Sequence, residues 1–235
     1  MAPFVYKVGG SLLTLPDLAE RLEAALTLHR ERRPLLIVGG GATADLVRRW
    51  DTLHGLGEER SHALALAAMS LNERFVEALL PRSRFVRTRE EAGAAWQDRL
   101  VPILCARDFL RDEEGALAAG RGVCELPGVL PHTWEVTSDS IAAWVALRWP
   151  ATGLVLLKSR GARCPSDAAG AQGDEARAGD APAGNAPVDS HFSTLAAALP
   201  RIEWINLRGA SLAVESWNPA ETAETTQAAQ ARGEG

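Results

Sequence analysis

Two patterns of apolar and polar positions alternate along the chain. Leu35-Leu36-Ile37-Val38 and Leu154-Val155-Leu156-Leu157 are unbroken apolar runs, and a third opens the chain at Phe4-Val5-Tyr6. Unbroken runs of this length suit parallel strands covered on both faces. Strands are therefore expected at 3–9, 35–38 and 154–158, with shorter ones at 84–87, 101–104 and 203–207. Between them, apolar residues recur at helical spacing. Leu18, Leu22, Ala25 and His29 follow Asp17, so 17–32 reads as an amphipathic helix that Pro34 stops. Leu46, Val47, Trp50 and Leu53 mark a second helix, and Leu66, Met69, Val76 and Leu79 mark a long third one from Glu58 to Leu80. Ile141, Trp144, Val145 and Arg148 mark another, with Thr137 or Ser138 as its natural N-cap. A shorter helix is expected near 193–199.

Three stretches break the alternation. Residues 111–130 are rich in glycine and acidic residues and read as a surface hairpin or loop. From 160 to 187 there is no Val, Ile, Leu, Met, Phe, Trp or Tyr. Such a segment cannot bury enough apolar surface to offset its ordering entropy, so it reads as a flexible insertion. Residues 218–235 lack large apolar side chains in the same way and read as a disordered tail. Strands alternating with helices predict an α/β fold, a three-layer α/β/α sandwich on a mainly parallel sheet. One domain is expected over 1–210, with lobes of about 1–150 and 151–210.

Composition narrows the function classes. Hydrophobic residues make up 46% and charged residues 23%, which is ordinary for a globular protein. The net charge of -5, with no Lys/Arg run, gives no footprint for nucleic acid. No apolar segment approaches the roughly 20 residues that span a bilayer, and no export signal is visible, so a cytoplasmic, soluble protein is expected. Cys105, Cys124 and Cys164 lack CxxC spacing, which argues against a disulfide framework or a structural zinc site.

Charge type is more informative than net charge. Of 25 basic residues only Lys7 and Lys158 are lysine; the other 23 are arginine. Lysine is a compact point charge, arginine a planar fork. Both lysines close an apolar strand, so they mark places where a point charge is needed. Glycines follow two of the strands, at Gly9-Gly10-Ser11 and at Gly39-Gly40-Gly41. Glycine between a strand and a helix lets backbone N–H groups approach an anion, and in a parallel sheet both turns reach the ligand-binding edge. Neither turn is a GxxxxGK[ST] or GxGxxG motif. Phosphoryl transfer needs charge placed around the moving group and little covalent help. Lys7 and Lys158 could grip phosphates from opposite sides, with Asp139 at a helix N-terminus holding the two like charges in place. His132 and Trp134 lie in the loop before it and are candidates for substrate contact, as is His54 beyond the second glycine turn. His62 and His191 read as structural or exposed.

Together these residues resemble the amino acid kinase family. The likeness rests on Lys7-Val8-Gly9-Gly10-Ser11, Gly39-Gly40-Gly41, Thr137-Ser138-Asp139-Ser140-Ile141-Ala142 and Leu157-Lys158-Ser159. It implies that Lys7 and Lys158 stabilise the transferring phosphoryl group and that Asp139 orients both. It also implies that Gly9, Gly10, Ser11 and Ser159 line the nucleotide phosphates. Gly39, Gly40, Gly41, His54, His132, Trp134, Thr137 and Ser138 would then face the acceptor. ATP with Mg2+ and a homo-oligomer are implied by the resemblance alone. The family's nucleotide loop would fall at 160–187, with Val188-Asp189 as its trace. Within the family, the segment 131–139 is similar to kinases of methanofuran biosynthesis, which phosphorylate an aminomethylfuran-methyl phosphate. A uridylate-kinase-like enzyme, an acylphosphate-forming amino acid kinase and a non-catalytic nucleotide or oxyanion-binding protein are the alternatives.

Overall fold

The computed structural model describes residues 2–29, 32–121, 128–160 and 188–216. In chain order its elements are β1 (Phe4–Val8), a 3-10 turn (Gly10–Thr14), α1 (Leu18–Thr27), β2 (Pro34–Val38), α2 (Gly41–His54) and α3 (Glu58–Leu79). They continue with β3 (Ser83–Val86), α4 (Arg89–Gln97), β4 (Val101–Leu104), α5 (Ala106–Ala118) and α6 (Ser138–Arg148). The last are β5 (Gly153–Lys158), α7 (Ser190–Ala196), β6 (Ile202–Asn206) and β7 (Val214–Ser216). All seven strands form one sheet in the order β3-β4-β2-β1-β5-β6-β7, parallel except for β7 against β6. This is the α/β sandwich that the strand–helix alternation predicts.

The strand order places the ligand edge. From β1 the chain moves outward through β2 to β4 and β3, then returns to lay β5 on the other side of β1. The order reverses around β1, and a parallel sheet opens a crevice at such a point beyond the strands' C-terminal ends. Both strands that carry a lysine border it.

Side-chain alternation divides each strand between two cores. Val5, Leu35, Ile37, Leu154 and Leu156 pack with α5, α6 and α7 through Phe109, Trp144 and Phe192. Tyr6, Val8, Leu36, Val155 and Leu157 pack on the opposite face with Leu18, Leu22 and Ala25 of α1. α3 contributes to both, through Leu66 and Met69 to the first and Val76 to the second. Among the described residues no helix is long and apolar enough to cross a membrane.

Several expected boundaries move. The helix expected over 17–32 ends at Thr27. Between the first strand and that helix, Gly10–Thr14 forms a 3-10 turn. The larger correction falls on 111–130, where α5 runs to Ala118. Its anchors Ala106, Phe109 and Leu110 are buried, and the acidic run after them is held by partners from elsewhere in the fold, Glu113 by Arg89 and Arg148 and Glu114 by His132. Gly115 inside it costs about 1 kcal/mol relative to alanine, and a Cβ there would meet nothing within 4 Å. The last helix starts at Ser190 because Asp189 caps it, accepting from the Phe192 amide. α4 and β7 carry too few apolar positions to stand out. The expected insertion at 160–187, apart from Arg160, and the tail 218–235 lie outside the described residues.

Candidate active site

Register brings the lysines together. Lys7 of β1 lies opposite Leu156 of β5, and Lys158 is two residues further along. Residues two apart share a sheet face, so both ammonium groups project toward α6. The N-terminus of that helix meets them with Asp139, which Thr137 anchors by accepting from the Asp139 amide at 3.2 Å. Lys7 Nζ lies 2.9 Å from Asp139 Oδ1, and Lys158 Nζ donates to Oδ2. Lys7 and Asp139 are buried, while the Lys158 side chain retains 16% exposure.

This burial sets the protonation states. Desolvation pushes the Lys7 ammonium down to about 8; Asp139 opposes that shift and the nearby Lys158 charge adds to it. Burial pushes Asp139 upward, but the charges and hydrogen bonds of Lys158 and Lys7 win and hold its carboxyl at about 2. Asp139 is thus a fixed anion near neutrality, and it leaves one net positive charge on the trio. Such a centre attracts a polyanion.

The two glycine turns lean on each other beside this trio. Gly9 donates to the Leu157 carbonyl at 2.9 Å and Gly39 to the Val8 carbonyl at 2.8 Å, which ties both turns to the lysine strands. A Cβ on Gly10 would sit 2.2 Å from the Gly41 amide nitrogen, a contact no side chain allows. Gly41 has φ +50, so its glycine is required twice over. Asn72 of α3 secures the second turn, donating to the Gly39 and Gly40 carbonyls at 2.8 and 2.7 Å. On the first turn, Arg208 donates to the Ser11 carbonyl at 3.0 Å, and Ser11 Oγ donates to Ser159 Oγ at 3.2 Å. Asp189 binds the Thr137 and Ser140 hydroxyls, fixing the start of α6. Asn72 and Arg208 are not visible as site residues in the sequence, because each acts through contacts across the fold, and Asp189, in view there only as a trace of the nucleotide loop, binds the start of α6.

Next to Ser138 opens a cavity of about 170 Å³ between α2, α3 and the 133–138 loop. Gly40, Gly41, Trp134, Thr137 and Ser138 line it, as do Asp45, Arg48, His62 and Thr133. Leu66, Met69 and Ile141 supply apolar wall. Trp134 is pinned by its indole N–H to Asp51 Oδ2 at 2.8 Å, and the Arg48 guanidinium lies 4.8 Å from the ring centroid. His54 stands elsewhere: it ends α2, is exposed, and is not in the cavity wall. His132 is not in the wall either. It is held between Glu59 at 2.8 Å and Glu114 at 3.3 Å, and stacks at 4.4 Å on His62. The hydrogen bond to Glu59, ahead of the opposing burial, raises the His132 pKa. His62, read from sequence as structural or exposed, is buried in the cavity wall. Burial first, then the His132 charge, pushes its pKa down to about 4.

The family model for the amino acid kinase family matches residues 2–160. The chain belongs to the amino acid kinase family. Among curated proteins none matches it in sequence. Solved structures similar to it include uridylate kinase from Archaeoglobus fulgidus, with 20% identity and a TM-score of 0.45 over 68% of this chain. This chain covers 64% of that protein's length. UMP kinase from Ureaplasma parvum shows 14% identity and a TM-score of 0.44, covering 67% of this chain and 69% of its own. UMP kinase from Bacillus anthracis shows 11% identity and 0.45, covering 67% and 65%.

Proposed function

We propose that this family member is an ATP-dependent kinase that passes a γ-phosphoryl group to an acceptor already carrying a phosphate. The observation that supports it is the convergence of Lys7 and Lys158 on Asp139, at the sheet edge between two glycine turns. In the proposed step an acceptor phosphate oxygen forms a bond to the γ-phosphorus. The bond from that phosphorus to the bridging oxygen breaks, and its electron pair leaves with ADP. A phosphomonoester is largely ionised near neutrality, with a second pKa of about 6, so the attacking oxygen needs no general base. Charge spreads over the transferring oxygens, where two preplaced ammonium groups stabilise it without reorganisation. Asp139 positions the pair and offsets their mutual repulsion.

Magnesium is implied by the family. Among the described residues no three His, Cys, Asp or Glu side chains cluster, so a magnesium ion would draw most of its ligands from the nucleotide phosphates and water. The Asp139 carboxylate is already engaged by both lysines. These residues do not form a magnesium site of their own.

For the acceptor we propose an aminomethylfuran-methyl phosphate, as in methanofuran-type cofactor biosynthesis. The second glycine turn at the start of α2 supplies backbone N–H groups for its phosphate. The cavity beside that turn, about 170 Å³, is smaller than the roughly 300–1,000 Å³ usual for ligand pockets. That favours a single small ring over a nucleoside. The test is ADP release from Mg-ATP with a panel of aminomethylfuran-methyl phosphate, UMP and amino acid carboxylates. Turnover with the furan phosphate alone is expected. Turnover with UMP or a carboxylate would reassign the acceptor, and binding of ATP without any turnover would favour a non-catalytic binding protein.

The Lys7 environment adds a pH signature. Lys7 is charged below about 8 and loses its proton as pH rises through that value. The alkaline limb of kcat/KM should therefore fall near pH 8, well below the ordinary lysine range. Bound phosphates stabilise the ammonium form, so the limb of kcat should lie higher. In Lys7→Arg, whatever activity remains should lose this limb, since guanidinium does not titrate there. A limb unchanged in that variant would assign it to another group.

A further inference from the structure

Two residues that line the cavity each carry a buried polar atom with no partner among the described residues. His62 Nε2 and Thr133 Oγ1 are both buried and make no hydrogen bond among the described residues. Buried polar groups are almost always paired, and an orphan calls for a reason. Two orphans on residues that line one cavity share a simple one: a ligand that completes them. Their surroundings agree with it. The His62 ring is fixed by stacking on His132 at 4.4 Å and 10°. His132 is in turn held between Glu59 and Glu114. The same cavity is lined by Leu66 and Met69 from the His62 face of α3, and by Ile141 and Trp134, which together offer apolar surface.

We propose that His62 and Thr133 read the end of the acceptor remote from its phosphate, and take there a hydrogen-bond-donating group carried on a small ring. This rests on the reading of the cavity as the acceptor site. An imidazole that stays neutral and a hydroxyl both offer lone pairs, and Asp45 adds a carboxylate to the same wall. Asp45 is itself paired at 3.8 Å with the Arg48 guanidinium of the same wall, so the preference for a hydrogen-bond donor rests on the imidazole and the hydroxyl. His62 and Thr133 are then specificity-determining residues. An acceptor lacking the donor would leave both atoms unpaired, and sites built to bond such a group reject the analogue strongly.

The experiment compares aminomethylfuran-methyl phosphate with the analogue bearing methyl in place of aminomethyl. Binding of each is measured by calorimetry without nucleotide, in the wild type, His62→Phe and Thr133→Val. The wild type should bind the amine roughly 100-fold more tightly than the methyl analogue. In each variant this preference should shrink at least about tenfold through weaker binding of the amine, with the methyl analogue bound as before. Thermal unfolding identifies a variant that has not folded, and Thr133→Val, in a half-buried loop, carries the test if His62→Phe fails. A preference that survives in a folded variant overturns the assignment of that residue. Equal binding of both compounds by the wild type overturns the proposal while the acceptor site stands. Binding of neither overturns the acceptor reading, and this proposal with it.

Discussion

Lys158→Ala should lower kcat by about three orders of magnitude or more while leaving the fold intact. The magnitude follows from the chemistry. Removing a single preorganised oxyanion donor costs roughly 10²–10³ in rate, and removing a cation that meets transferring phosphoryl charge costs roughly 10³–10⁵. The fold should survive because Lys158 closes its strand, retains some exposure and leaves the Lys7–Asp139 pair in place. Asp139 would be a poorer choice for this experiment. Neutralising it would leave two ammonium groups facing each other in a buried site, and stability and catalysis would fall together. Steady-state kinetics with saturating Mg-ATP and acceptor give kcat directly, and circular dichroism checks the fold. Turnover within about tenfold of wild type would remove Lys158 from the transferring group. Tight ATP binding by a wild type that never turns over would leave both lysines as anion grips.

The trio of Lys7, Lys158 and Asp139 was legible because its signals were local. Two lysines among arginines stood at the ends of apolar strands, and an aspartate stood at a helix start. Each needed only composition and position to be noticed, and parallel pairing then brought them to one edge. The cavity was half legible. Trp134, Thr137, Ser138 and the second glycine turn were in view, but His62 was set aside although its spacing pointed inward. Residues 62, 66, 69, 73 and 76 fall at helical intervals of four, three, four and three, so His62 and Glu73 share the buried stripe of Leu66, Met69 and Val76. Polar residues in register with an apolar stripe are the signal that was available. The residues that hold the site, Asn72, Asp189 and Arg208, gave no such sign. Their partners are 32, 52 and 197 positions away, and only the folded chain brings them into reach. The α5 helix was missed for the opposite reason, because a glycine and an acidic run masked anchors that are only three residues long in pattern.

The buried carboxyl of Glu73 should make the protein less stable as pH rises, and Glu73→Gln should abolish that loss. Glu73 is fully buried, accepts from the Ala106 amide at 3.1 Å with one oxygen, and has no partner for the other among the described residues. Desolvation pushes its pKa up to about 8, against the pull of the Ala106 amide and of Arg107. Below the ordinary carboxyl range of about 4.5 both folded and unfolded chains are protonated, so this group adds no pH dependence. Between that value and about 8 the unfolded chain ionises and the folded chain does not. Folding stability then falls by about 1.4 kcal/mol per pH unit, roughly 5 kcal/mol across the window, and levels off above it. Glutamine keeps the carbonyl that accepts from Ala106 and cannot ionise. Chemical denaturation at pH 5, 6.5 and 8 should therefore show the variant gaining on the wild type at each step. A stability difference that does not change with pH would mean that Glu73 is ionised in the folded protein. Asn72, its neighbour on α3, binds the Gly39 and Gly40 carbonyls. Ionising Glu73 would therefore disturb the helix turn that supports the second glycine turn.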